Sequence, residues 1–104
     1  MVTLELKSKI LRNGERLDYR VQLVEIIHRV PPLDPQGVQK RGFSDPDMEE
    51  AEALAGKLEA ANGQVELTAA EVMQLVGKVE NAQWPFSDQG FRDLIADVVA
   101  LKSQ

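Results

Sequence analysis

The sequence predicts an α+β fold in a single domain spanning residues 1–104: an N-terminal β-hairpin, open to a third strand at 64–67, packed against about four helices. Three observations predict it. Residues 2–11 and 15–17 alternate apolar and polar side chains around Asn13-Gly14, the strongest short-range hairpin signal. Four later stretches repeat apolar residues at helical spacing between start and stop signals. The stretch from Gly63 to Pro85 joins both kinds, a short strand at 64–67 running directly into a capped helix. A two-stranded hairpin alone is marginal in water, so the third strand or a helix is needed to cover it.

Taken in order, Val2, Leu4, Leu6 and Ile10 alternate with Thr3, Glu5, Lys7 and Lys9, which gives one strand over 2–11 with one buried face. Asn13-Gly14 suits a type I′ turn, whose two central residues need positive φ. The return strand covers at least Glu15–Leu17. The period then changes: Tyr19, Leu23, Ile26, Ile27 and Val30 form a helix face, with Asp18 as its N-cap. Pro31-Pro32 ends that helix, and residues 31–44 (PPLDPQGVQKRGFS) show no period. Loops of this length are usually functional or disordered, which makes this one the first place to expect a partner.

Ser44 or Asp45 caps the next helix, with Pro46 in its first turn and Asp47, Glu49 and Glu50 at the positive end of its dipole. Its stripe (Met48, Ala51, Leu54, Ala55, Leu58) is narrow and alanine-rich, which places it at the periphery of the core, and Asn62-Gly63 supplies a left-handed closure. Thr68 and Glu71 form a capping box, Leu67 and Val72 a hydrophobic staple, and Val72, Leu75, Val76 and Val79 one apolar stripe. Pro85 requires that helix to end by Gln83. Ser87 caps a last helix, with Phe86 and Phe91 as its staple and Phe91, Leu94, Ile95, Val98 and Leu101 as its buried face.

Composition excludes more than it assigns. The chain has no cysteine, which removes disulfides, thiolate catalysis and cysteine-based metal sites. The opening MVTLELKSKI has no apolar signal core and no run approaches a membrane span, so a cytoplasmic location without membrane partners is expected. The net charge of −5 is uneven: residues 1–44 carry eight Lys/Arg against five Asp/Glu, and residues 45–104 four against twelve. An acidic chain is poorly suited to a phosphate backbone, so nucleic acid is not the expected partner. The acidic half is either a solvated surface or a face that meets a basic protein.

Candidate chemistry is thin. His28 is the sole histidine and has no co-ligands for zinc; its place near a helix C-terminus accounts for it. No calcium loop, P-loop, dinucleotide fingerprint or nucleophile elbow is present. Asp18-Tyr19-Arg20 reads as a cap, a packed ring and a surface charge. No catalytic residue, cofactor or metal ligand is therefore expected. The candidate partner contacts are Lys40, Arg41 and Phe43 in the loop and Trp84 between the last two helices, where it serves as a core plug or an interface anchor.

The N-G hairpin, L-D-Y-R leading into a helix (Leu17–Arg20), V-E-L-T at a helix start (Val65–Thr68) and W-P before a final helix (Trp84-Pro85) resemble small uncharacterised proteins of temperate bacteriophages and prophages. That resemblance implies an accessory or assembly role and carries over no catalytic residue. The expected function is a non-enzymatic protein–protein interaction module. Two alternatives stand beside it: a nucleic-acid-associated regulator using Lys7, Lys9, Arg12, Lys40 and Arg41, and a small metal-dependent enzyme built on carboxylates.

Overall fold

A computed structural model describes all 104 residues. Residues 2–10 form one extended segment shared between two partners. β1 (Val2–Glu5) and β2 (Ser8–Ile10) run in line, followed by β3 (Arg16–Asp18). Four helices follow: α1 (Tyr19–Arg29), α2 (Asp45–Ala60), α3 (Ala69–Asn81) and α4 (Gln89–Val99). β4 (Gln64–Leu67) lies between α2 and α3, and a 3-10 turn at Ala100–Ser103 ends the chain. The class is α+β, as the sequence predicts.

The expected third strand pairs, though not beside the hairpin. β4 runs antiparallel to β1 with Leu4 opposite Val65, while β3 runs antiparallel to β2 with Lys9 opposite Leu17. The result is two sheets of two strands. Backbone bonds alternate sides along an antiparallel strand. Leu6 N–H donates to the Gly63 carbonyl at 2.8 Å, which turns the even-numbered residues toward β4. Tyr19 N–H donates to Lys7 at 2.9 Å and Leu11 N–H to Glu15 at 2.8 Å, which turns the odd-numbered residues toward β3.

The hairpin turn also differs from the type I′ expectation. Gly14 N–H donates to Leu11, Gly14 has φ of +88°, and Asn13 keeps a negative φ. This is the three-residue loop in which a type I turn is followed by a left-handed glycine. Asn13 serves through its side chain, accepting from Glu15 N–H at 3.0 Å.

One core of 22 buried apolar residues draws on every helix and on both sheets. α1 lies against α2, and α3 against α4. Ala51, Leu54, Ala55 and Leu58 are all buried, so α2 belongs to the core and not to its edge. Alanines at the contact let the α1 and α2 backbones approach, and the two leucines then reach inward. Met48 alone of the predicted stripe stays exposed. α2 closes at Ala60 with Ala61 extended, and Gly63, at φ +76°, turns the chain into β4 instead of capping the helix.

The starts of the last two helices are fixed by capping. Both bonds of the Thr68–Glu71 box are present, Glu71 N–H to Thr68 Oγ1 at 3.2 Å and Thr68 N–H to Glu71 Oε1 at 2.8 Å. α4 starts one residue later than expected, on Asp88 and not Ser87. Asp88 accepts from Gly90 N–H at 2.9 Å and from Arg12 N–H, in the hairpin loop, at 2.7 Å. A Cβ on Gly90 would come within 2.7 Å of Leu11, so glycine lets the first turn of α4 lie on the hairpin. No helix is long and apolar enough to cross a membrane.

Candidate functional site

The aperiodic segment between α1 and α2 is held by a chain of named bonds. Pro31 and Pro32 have no N–H, so the carbonyls of Ile27 and His28 lose the donors that a continued helix would give them. The Ile27 carbonyl accepts instead from Lys78 Nζ of α3 at 2.6 Å. Lys78 is 1% exposed, and its ammonium sits 4.9 Å from the centroid of the Phe43 ring, a cation–π contact. Burial pushes its pKa down to about 8, against the pull of the Asp47 and Glu50 carboxylates. One side chain thus joins α3, the end of α1 and the far end of the loop.

Within the loop the chain folds back on itself. Lys40 N–H donates to Pro32 at 2.9 Å and Asp34 N–H to Val38 at 2.7 Å, with Leu33 bridged to Gln39. The Asp34 carboxylate accepts from Gln36 and Val38 N–H, each at 2.9 Å, which stiffens the tip. Lys40 Nζ then meets both oxygens of Asp47, at 3.1 and 3.2 Å. Asp47 also accepts from Ser44 N–H, completing a capping box at the start of α2. That backbone bond, with the Ser44 hydroxyl and Lys40, holds the Asp47 carboxyl below the usual range.

The braced loop forms one wall of a groove of about 350 Å³ against α3. Pro32, Leu33 and Pro35 face Met73, Gln74 and Gly77, with Glu50 of α2 at the rim. Glu50 and Gln74 continue into a second groove of about 280 Å³ between α2 and α3. Leu33 and Met73 are 39% and 65% exposed, so apolar side chains stand in water on a rigid frame. The adjoining helix is strongly acidic: Asp45, Asp47, Glu49, Glu50, Glu52 and Glu59 face a single cation, Lys57. Lys57 in turn is held by Glu71 at 2.7 Å.

No protein-family model matches the chain, and neither does any curated protein or solved structure. The site must be read from its own residues.

Of the four candidate contacts, three are engaged inside the fold. Lys40 is paired with Asp47, Phe43 is half-buried beneath Lys78, and Trp84 is half-buried with its ring 4.9 Å from Phe91. Phe86 packs edge-on against the same Phe91 at 5.3 Å. Arg41 is exposed and makes no ion pair. The basic set is also partly neutralised, because α4 sets Asp97 3.5 Å from Lys7 and Asp93 3.4 Å from Lys9. No three His, Asp or Glu side chains converge as metal ligands.

Two polar residues depart from their sequence reading. Arg20 is no surface charge: it is half-buried and donates to the Ala61 carbonyl, tying α1 to the end of α2. Lys78 was hidden by its place beside the apolar stripe of α3. The signal available for it was the Pro31-Pro32 pair, which leaves carbonyls at the end of α1 in need of a donor.

Proposed function

We infer that the protein is a non-enzymatic interaction module whose docking face is the groove between the 31–44 loop and α3, beside the carboxylates of α2. The observation that carries this reading is the exposure of Leu33 and Met73 on a frame already fastened by Lys78, Asp34 and the Lys40–Asp47 pair. A rigid apolar seat binds with little ordering cost. The acidic flank favours a partner segment that is amphipathic and basic, by charge complementarity. The resemblance to small phage and prophage proteins supports an accessory or assembly role for such a module, acting in the cytoplasm.

The test is an affinity pull-down from lysate of the source cell, with and without nuclease, using wild-type protein and Met73→Lys. One protein retained despite nuclease and lost with Met73→Lys is the expected result. Retention that vanishes with nuclease moves the assignment to the nucleic-acid regulator, and retention of nothing removes the module reading.

A further inference from the structure

The alternation of hydrogen bonds leaves one length of the shared strand unfinished. Its even-numbered residues turn toward β4 and its odd-numbered residues toward β3. β3 answers Lys7, Lys9 and Leu11, and the chain then departs into α1 at Tyr19. Thr3 and Glu5, the odd residues before it, turn their amides and carbonyls to the same side, where no strand follows. That side is a groove of about 310 Å³, with Thr3, Glu5 and Lys7 on one wall and Asp97, Ala100 and Gln104 on the other. Its walls are tied together at one end, because Asp97 accepts from Tyr19 Oη at 2.8 Å and pairs with Lys7.

Unpaired amides and carbonyls on a strand edge are a template for extended backbone, which alone repeats its donors and acceptors at the same interval. The charge of the groove narrows the occupant further. Lys7 is held by Asp97, whereas Glu5 is exposed and has no ion-pair partner, so the charge left open is negative. We propose that the groove between the open edge of β1 and the end of α4 takes an extended, basic segment of a partner protein as an added strand. A second copy of this chain fits less well. Two β1 edges in two-fold antiparallel register place Glu5 diagonal to Glu5 of the other copy, a like-charge neighbour. This surface is separate from the loop groove and needs no part of it.

The experiment titrates ¹⁵N-labelled full-length protein with an acetylated, amidated heptapeptide TVTKTVT. Two controls are the same peptide with Glu for Lys, and the Lys peptide N-methylated at alternate residues. The Thr3 and Glu5 amides are expected to shift saturably and gain exchange protection, while Gln64 and Glu66, on the outer edge of β4, do not. The Glu peptide binds about two- to fivefold more weakly, Glu5→Lys reverses that order, and the N-methylated peptide does not bind. The rest of the Glu5→Lys spectrum reports that the variant is folded. Met73→Lys leaves the titration unchanged, so the two surfaces stand or fall separately. No shift at Thr3 and Glu5 with millimolar peptide overturns the proposal, as does equal binding of the N-methylated peptide. Protection that grows with protein concentration alone overturns it too, by giving the edge to a second copy.

Discussion

Lys78 sets the alkaline behaviour of the fold. An unfolded lysine keeps its proton to about pH 10.4, whereas Lys78 releases it near 8 when folded. Between those values the unfolded chain binds more protons, so the unfolding free energy rises with pH. The neutral amine still donates to Ile27, so the brace survives the titration. Urea midpoints from pH 7 to 10 should therefore climb in the wild type relative to Lys78→Met. At pH 10, where no buried charge is relieved by the change, the variant should be less stable by about 1–3 kcal/mol, the cost of a buried carbonyl without a donor. Tyr19 closes the window from above. Burial and its bond to Asp97 raise its pKa, so an unfolded tyrosine ionises near pH 10 before the folded one does. Stability should fall above that point, and Tyr19→Phe should abolish the fall.

Elements stand on their caps and turns, and here the sequence was most readable. The Thr68–Glu71 box lies within four residues, so its partners are visible in the chain itself; Thr68→Ala should lower the unfolding free energy by about 1 kcal/mol. Asp18 as the cap of α1 is legible for the same reason. Asp88 is not, because the second amide it accepts belongs to Arg12, 76 positions away. The break of the first strand at Leu6-Lys7 is likewise set from outside, by β4 on one side and β3 on the other. The loop at 31–44 was legible as a loop, yet the side-chain brace of its tip is the single carboxylate of Asp34. Asp34→Ala should speed amide exchange at Gln36 and Val38 while leaving Thr68 and Glu71 protected. Exchange at the two loop amides that is already fast in the wild type would contradict that account. The groove residues Leu33 and Met73 were missed because an apolar residue in an aperiodic loop, or off the stripe of a helix, carries no period to read.

At the scale of the molecule, one core joins every helix to both sheets. Unfolding should then be a single cooperative transition. Trp84 rests on Phe91 of α4 and reports that corner, while far-ultraviolet circular dichroism reports all four helices. The two signals should give the same urea midpoint, and separate midpoints would mean that α4 detaches on its own. The uneven charge acts at this scale too. α2 carries the acidity, and the early basic residues are partly spent on Asp93 and Asp97 of α4. The field that reaches a partner from the loop groove is therefore negative, and association there should slow as salt is added.

The shared strand also gives the chain a history. Ser8–Ile10 finds its partner within ten residues, on the timescale of a hairpin, about microseconds. Val2–Glu5 must wait for residues 64–67, across a loop whose closure includes α1 and α2. During synthesis residues 2–5 thus leave the ribosome well before residues 64–67 and stay unpaired until these follow. Until β4 arrives, this half-strand has both edges open, and the exposed charge of Glu5 works against another nascent chain taking β4's place.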